Sequence, residues 1–172
     1  MTNPLEEIAS RAMGAAKGVK ATFEGLTGVF RQLAEEHGEV SALLLRVKNS
    51  EDPDVRAELF PKIRKELLSH EKGELTIVYP AFQLHPETKM IADKHAQEAS
   101  QLEKMIETLT TTSVRDSSWP TKFDALVDLV QRHVTEEESK FFPAGERVLH
   151  AQTDALRTQY IATKTEVMKQ LG

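Results

Sequence analysis

Four stretches of this chain carry apolar residues in steps of three and four, and each stretch puts one histidine on that face. The first reads Leu26, Phe30, Leu33, His37, Val40, Leu44 and Val47. The second reads Leu59, Ile63, Leu67, His70, Glu74 and Ile77. The third reads Ile91, His95, Leu102, Ile106 and Leu109, and the fourth Phe123, Leu126, Val130, His133, Glu137 and Phe141. Such spacing places a set of side chains along one stripe of an α-helix and faces the stripe inward. Four amphipathic stripes in one chain of 172 residues demand helix-on-helix packing. The expected fold is all-α, an antiparallel up-and-down four-helix bundle with additional N- and C-terminal helices.

Breakers separate the stripes. Asn49-Ser50-Glu51-Asp52-Pro53 ends in an N-cap and an N1 proline. Further breaks are expected from Tyr79-Pro80 to His85-Pro86, from Thr110 to Pro120, and at Phe142-Pro143-Ala144-Gly145. Pro61 is expected to kink the second helix or mark a false start. Three parts follow: residues 1–24 as an extension with a short helix, 25–148 as the bundle, and 149–172 as a C-terminal helix with Leu156, Tyr160, Val167 and Leu171 as its weaker stripe.

Composition excludes several classes of function. The chain has no cysteine, which removes disulfide scaffolds, Cys-ligated metals and thiol catalysis. Its net charge is −5, so nucleic acid is not an expected partner. The N-terminus lacks a basic segment followed by an apolar run, and no run is long enough to span a membrane, so the expected location is cytoplasmic. The expected assembly is a monomer or a weak homodimer.

Four histidines and two glutamates on inward faces need partners, because burying six such groups alone would cost several kcal/mol. The second and fourth stripes also repeat one pattern. His70 leads to Glu74, then Tyr79 and Pro80; His133 leads to Glu137, then Phe142 and Pro143. One histidine precedes each copy, His37 by 33 residues and His95 by 38. The chain reads as one helical hairpin used twice, and its approximate two-fold axis brings two metal positions together. A step of four residues leaves side chains about 40° apart on a helix, so His and Glu can serve one site. Glu138, about 140° from His133, fits less well than Glu137. Glu71 and Glu136 fail the same test and are expected in solvent. The candidate ligands are His37, His70, Glu74, His95, His133 and Glu137. This nitrogen and oxygen set suits iron, manganese or zinc. If both carboxylates bridge two ions, with an oxo or hydroxo group between them, an octahedral ion keeps one position open for a small ligand.

The pattern His37, His70-x-x-x-Glu74, His95, His133-x-x-x-Glu137, with Tyr79-Pro80 and Phe142-Pro143 closing the ligand helices, resembles the hemerythrin-like, or HHE cation-binding, domain. The resemblance implies a non-haem di-iron centre that meets oxygen, nitric oxide or peroxide. Reversible oxygen carriers of this family have a histidine where this chain has Ala99, and an aspartate in place of the Glu137 ligand. The ligand set is more similar to the branch with four histidines and two glutamates. What the resemblance implies is a protein that binds and turns over a small oxidant in oxidative or nitrosative stress defence, with peroxidase-like, catalase-like or nitric-oxide-processing chemistry. The alternative is an iron donor, an iron-centre repair factor or an oxygen sensor without steady-state turnover. The family's repair proteins carry a cysteine segment that this chain lacks. Glu98 is expected in solvent or beside the metals without ligating them, Tyr79 off the ligand face as a packing anchor, and His85 and His150 at the surface.

Overall fold

The computed structural model describes residues 25–172, and these are helical with no strand among them. The expected N-terminal helix within 1–24 lies outside the described residues. Four long helices form the body: α1 (Gly28–Lys48), α2 (Pro53–Gly73), α4 (Pro86–Thr111) and α5 (Trp119–Glu136). The short α3 (Tyr79–Gln83) and α6 (Phe142–Leu149) extend α2 and α5, and α7 (Thr153–Gln170) closes the chain. Helix α1 packs on α2 and α5, α4 packs on α5 and α2, and α7 lies along α1 and α2.

Local chemistry sets the helix ends. Asp52 caps α2 by accepting from the Asp54 backbone N–H at 2.9 Å, with Pro53 in the first turn. Helix α2 runs unbroken through Pro61, which is exposed, so the false start is not realised. Trp119 opens α5 fully buried, stacked on Phe123 and edge-on to Phe60. Gly28 is required where α1 begins. Its φ is +44°, and an added Cβ would lie 2.7 Å from the Asp154 backbone nitrogen at the start of α7.

One expected break is narrower than its range, and one falls further along the chain. At Tyr79-Pro80 and Phe142-Pro143 the chain does not leave the helix; it passes through one π-turn, Glu74–Val78 and Glu137–Phe141. The Tyr79 N–H donates to the Glu74 carbonyl, and the Phe142 N–H to the Glu137 carbonyl, both five residues back. A proline inside a regular α-helix lacks a donor and collides with the carbonyl four residues back. The wider turn absorbs the proline and lets the helix continue. The true interruptions come at Leu84-His85 and at the 3₁₀ turn His150–Gln152.

The core has two apolar clusters. One joins Val40, Leu44, Ile63, Leu67, Leu102, Trp119, Phe123 and Val130. The other joins Phe30, Leu33, Phe82, Ala92, Phe142, Leu149 and Tyr160. His37, His70, Glu74, His95 and Glu137 fall between the two clusters along their helices, and His133 lies at the edge of the first. A polar layer is thus enclosed by apolar layers on both sides.

Candidate metal centre

The six residues singled out by sequence converge on this layer, joined by a seventh. Donor atoms of His37, His70 and Glu137 lie within 4.8 Å of one another, as do those of Glu71, Glu74, His95 and His133. The rings pair within each hairpin, His37 with His70 at 5.0 Å between centroids and His95 with His133 at 4.8 Å. Each carboxylate from the repeat reaches both pairs. Glu74 Oε2 lies 3.5 Å from His70 Nε2 and 3.6 Å from His95 Nε2. Glu137 lies 3.2 Å from His37 Nε2 and 3.2 Å from His133 Nε2.

Glu71 corrects an expectation, since its side chain is not in solvent but only 2% exposed. Its Oε1 sits 2.6 Å from His95 Nε2 without the alignment of a hydrogen bond, and its Oε2 is 3.9 Å from His133 Nε2. The signal was present: Leu67, Glu71, Glu74 and Val78 continue the stripe in steps of four, three and four. In the other repeat this place is Val134, which is apolar and buried, so a third carboxylate serves one side only. Glu136, in contrast, pairs with Lys94 at the rim, at 2.6 Å.

Tyr79 is the second correction. Five residues past Glu74 it would point away from the ligand face of an α-helix, but a π-turn brings the fifth residue nearly back round. Its hydroxyl donates to Glu137 Oε1 at 2.6 Å, and its ring stacks on His95 at 3.7 Å. Phe142, its counterpart, stacks on His37 at 5.6 Å. Each hairpin's aromatic therefore braces the lone histidine of the other.

Three histidines hold an outer carboxylate at Nδ1 and turn Nε2 inward. His37 meets Glu138 at 3.0 Å, His70 meets Glu36 at 2.9 Å, and His133 meets Glu98 at 3.4 Å. This arrangement sets the ring orientation and tautomer of a ligating imidazole. Glu138 and Glu98 stand behind the histidines, and of the two places expected for Glu98 the structure shows the one beside the centre. His85 and His150 lie outside the layer, and the His150 side chain is 73% exposed.

A family comparison agrees with this geometry. The sequence profile of the hemerythrin HHE cation binding domain matches residues 28–145. The chain belongs to the hemerythrin HHE cation-binding family. A curated relative named DNA nickase, from Nostoc sp., is 28% identical over 141 residues, covering 80% of this chain and 39% of the relative. An uncharacterized hemerythrin-like protein of Schizosaccharomyces pombe is 25% identical over 126 residues, covering 72% of this chain and 62% of the relative. The chain thus spans less than two thirds of either relative. No solved structure matches the chain.

The HHE domain binds metal cations, and the residues present fit that role. Ten buried side-chain polar atoms lack a hydrogen-bond partner among the described residues, and nine of them belong to the seven residues of this hemerythrin-like layer. Buried polar atoms are almost always satisfied, so nine orphans on one centre mark where a cation belongs.

Without an ion the layer is electrostatically frustrated. Burial, with the neighbouring charges of Glu137 and Glu71, pushes Glu74 well above the usual carboxylate range. Burial acts on Glu137 in the same sense, but the neighbouring His133 and His37 carry it well below that range. Burial would lower His133 and His37, yet the Glu137 carboxylate raises both. Burial lowers His70, with help from His37. The two carboxylates are driven in opposite directions, as expected for two acids forced together.

A cavity of about 30 Å³ opens beside the layer. Its walls include Val40, Leu67, Leu102, Leu129, Val130 and Val134, with His37, His70, Glu71 and His133 on its polar side. At this size it has room for roughly two water-sized occupants. No helix among the described residues is long and apolar enough to cross a membrane.

Proposed function

We propose that this chain holds two iron ions; His37 and His70 would hold one, His95, His133 and Glu71 the other, and Glu74 and Glu137 would be shared between them. The observation that carries this reading is the set of nine unpartnered polar atoms on two hairpins, with each repeat glutamate reaching both histidine pairs. The iron would supply Lewis acidity and redox capacity toward oxygen, nitric oxide or peroxide. Manganese or zinc suits the same donors.

The protein's own residues prepare the site. The outer carboxylates keep Nδ1 protonated and Nε2 free to ligate. The small cavity with apolar walls from Val40 to Val134 suits a diatomic or peroxide. Tyr79 holds a proton 2.6 Å from Glu137 and so orients that carboxylate. We assign the protein to oxidative or nitrosative stress defence, acting on a small oxidant in the cytoplasm as a monomer or weak homodimer. The acidic charge disfavours nucleic acid, and the activity in the Nostoc relative's name is not carried over to a chain spanning 39% of it.

Elemental analysis of the purified protein tests the centre. About two irons per chain are expected, with a visible spectrum that changes on adding peroxide or nitric oxide. A chain holding no iron, or one zinc that iron cannot replace, overturns the di-iron reading. Unchanged spectra on fully loaded protein remove the oxidant chemistry and leave a structural metal.

A further inference from the structure

Glu36, one of the three outer carboxylates, is held by four side chains. His70 Nδ1 and Lys164 Nζ each lie 2.9 Å from its Oε2, and the Tyr160 hydroxyl donates to the same oxygen at 2.5 Å. Gln32 Nε2 donates to its Oε1 at 3.0 Å. The Tyr160 oxygen is also 3.0 Å from His70 Nδ1. Tyr160 and Lys164 sit one helical step apart on α7, beyond the residues 28–145 that the family profile matches.

The other outer carboxylates are held differently. Glu138 and Glu98 have side chains 22% and 27% exposed, and at Glu98 the cation is the half-exposed Lys94. Glu36 is 11% exposed, Lys164 12%, and Tyr160 fully buried. Helix α2 makes room for the phenol: a Cβ on Gly73 would lie 2.5 Å from a Tyr160 ring carbon. Glycine weakens a helix interior, so its place under this ring is accounted for by the close approach.

We propose that α7 completes the metal centre, with Tyr160 and Lys164 as positioning residues that hold Glu36 against His70 and thereby aim His70 Nε2 at its metal. This rests on the metal reading above. The phenol removes the carboxylate's freedom to rotate away, and the ammonium keeps a buried anion paired. A fixed anion on Nδ1–H makes Nε2 a better donor and holds one tautomer. The His37–His70 position is therefore tuned by a helix outside the matched domain.

The test uses the full chain, cobalt(II) titration for affinity, and the zinc-loaded form for nitrogen-15 NMR of His70. In Tyr160→Phe, one of the two cobalt equivalents should bind about ten- to a hundredfold more weakly, the range seen for outer partners of metal-bound histidine. The other equivalent should be unchanged, and the His70 Nδ1–H should exchange faster with solvent. Lys164→Gln should act in the same direction, and it supplies the answer if the first variant fails to fold. Wild-type affinity at both equivalents, or equal weakening of both with His70 exchange unaltered, overturns the proposal. A wild-type chain that takes up no cobalt, zinc or iron overturns the metal reading itself, a separate result.

Discussion

Glu71 and Glu136 are neighbours of ligand residues in the two repeats, and their environments are opposite. Glu71 is enclosed with His95 and His133, while Glu136 meets Lys94 at the rim. A carboxylate enclosed beside two imidazoles, with an oxygen that accepts no hydrogen bond, is costly unless a cation satisfies it. Glu71→Gln keeps the shape and removes the charge, and it should weaken metal binding by about tenfold or more. Glu136→Gln loses only an exposed ion pair and should leave binding unchanged. Competition with a chelator of known affinity measures both. Equal effects would mean that Glu71 is buried for packing alone.

At the scale of elements, the start of α1, the end of α6 and the start of α7 are tied at one corner. The Thr27 N–H and hydroxyl donate to Glu146 at 3.1 and 2.7 Å, and the same hydroxyl lies 2.8 Å from that of Thr153. Thr27→Val keeps the shape and deletes the hydroxyl contacts, so it should cost about 1–2 kcal/mol, seen as a lower urea midpoint at unchanged slope. Thr27→Ser should stay near wild type. The four helices and their inward histidines were legible because a 3.6-residue period writes burial directly into spacing. The π-turns were not legible as such. Tyr79-Pro80 and Phe142-Pro143 read as stops, because proline ends an ordinary helix and nothing in local sequence separates a stop from a widened turn. That error misdirected Tyr79, whose face follows from the turn. Glu71 reads as solvated because it is one residue, about 100° of helix, from His70, whereas its burial follows from the face it shares with Glu74 three residues on. Tyr160 and Glu36 lie 124 residues apart, and only the packing of α7 on α1 brings them together.

Across the whole molecule, the polar layer couples folding to protons and to metal with opposite signs. His37 and His133 are raised above the ordinary 6.5 in the metal-free fold. A raised histidine contributes stability that is fully present below its unfolded value and is lost as pH rises through the folded one. Glu74, raised above 4.5, has the same sign, because its neutral form is the one the fold prefers. His70 is lowered, so its effect is confined to below pH 6.5, where falling pH removes stability. Glu36 and Glu137 are lowered from 4.5, and their contributions are lost only as pH falls below that value. Lys164 is raised from 10.5, so its contribution holds until more alkaline pH. Between pH 6.5 and about 9 every cited shift that acts therefore has one sign, and the chelator-treated protein should melt at lower temperature as pH rises. In the loaded protein, protons compete with metal for the same nitrogens and carboxylates, so acid should release the metal and lower the melting temperature. Calorimetric melts of both forms across this range should give curves of opposite slope, with their separation growing toward high pH. Parallel curves would mean that the buried histidines do not couple metal binding to folding.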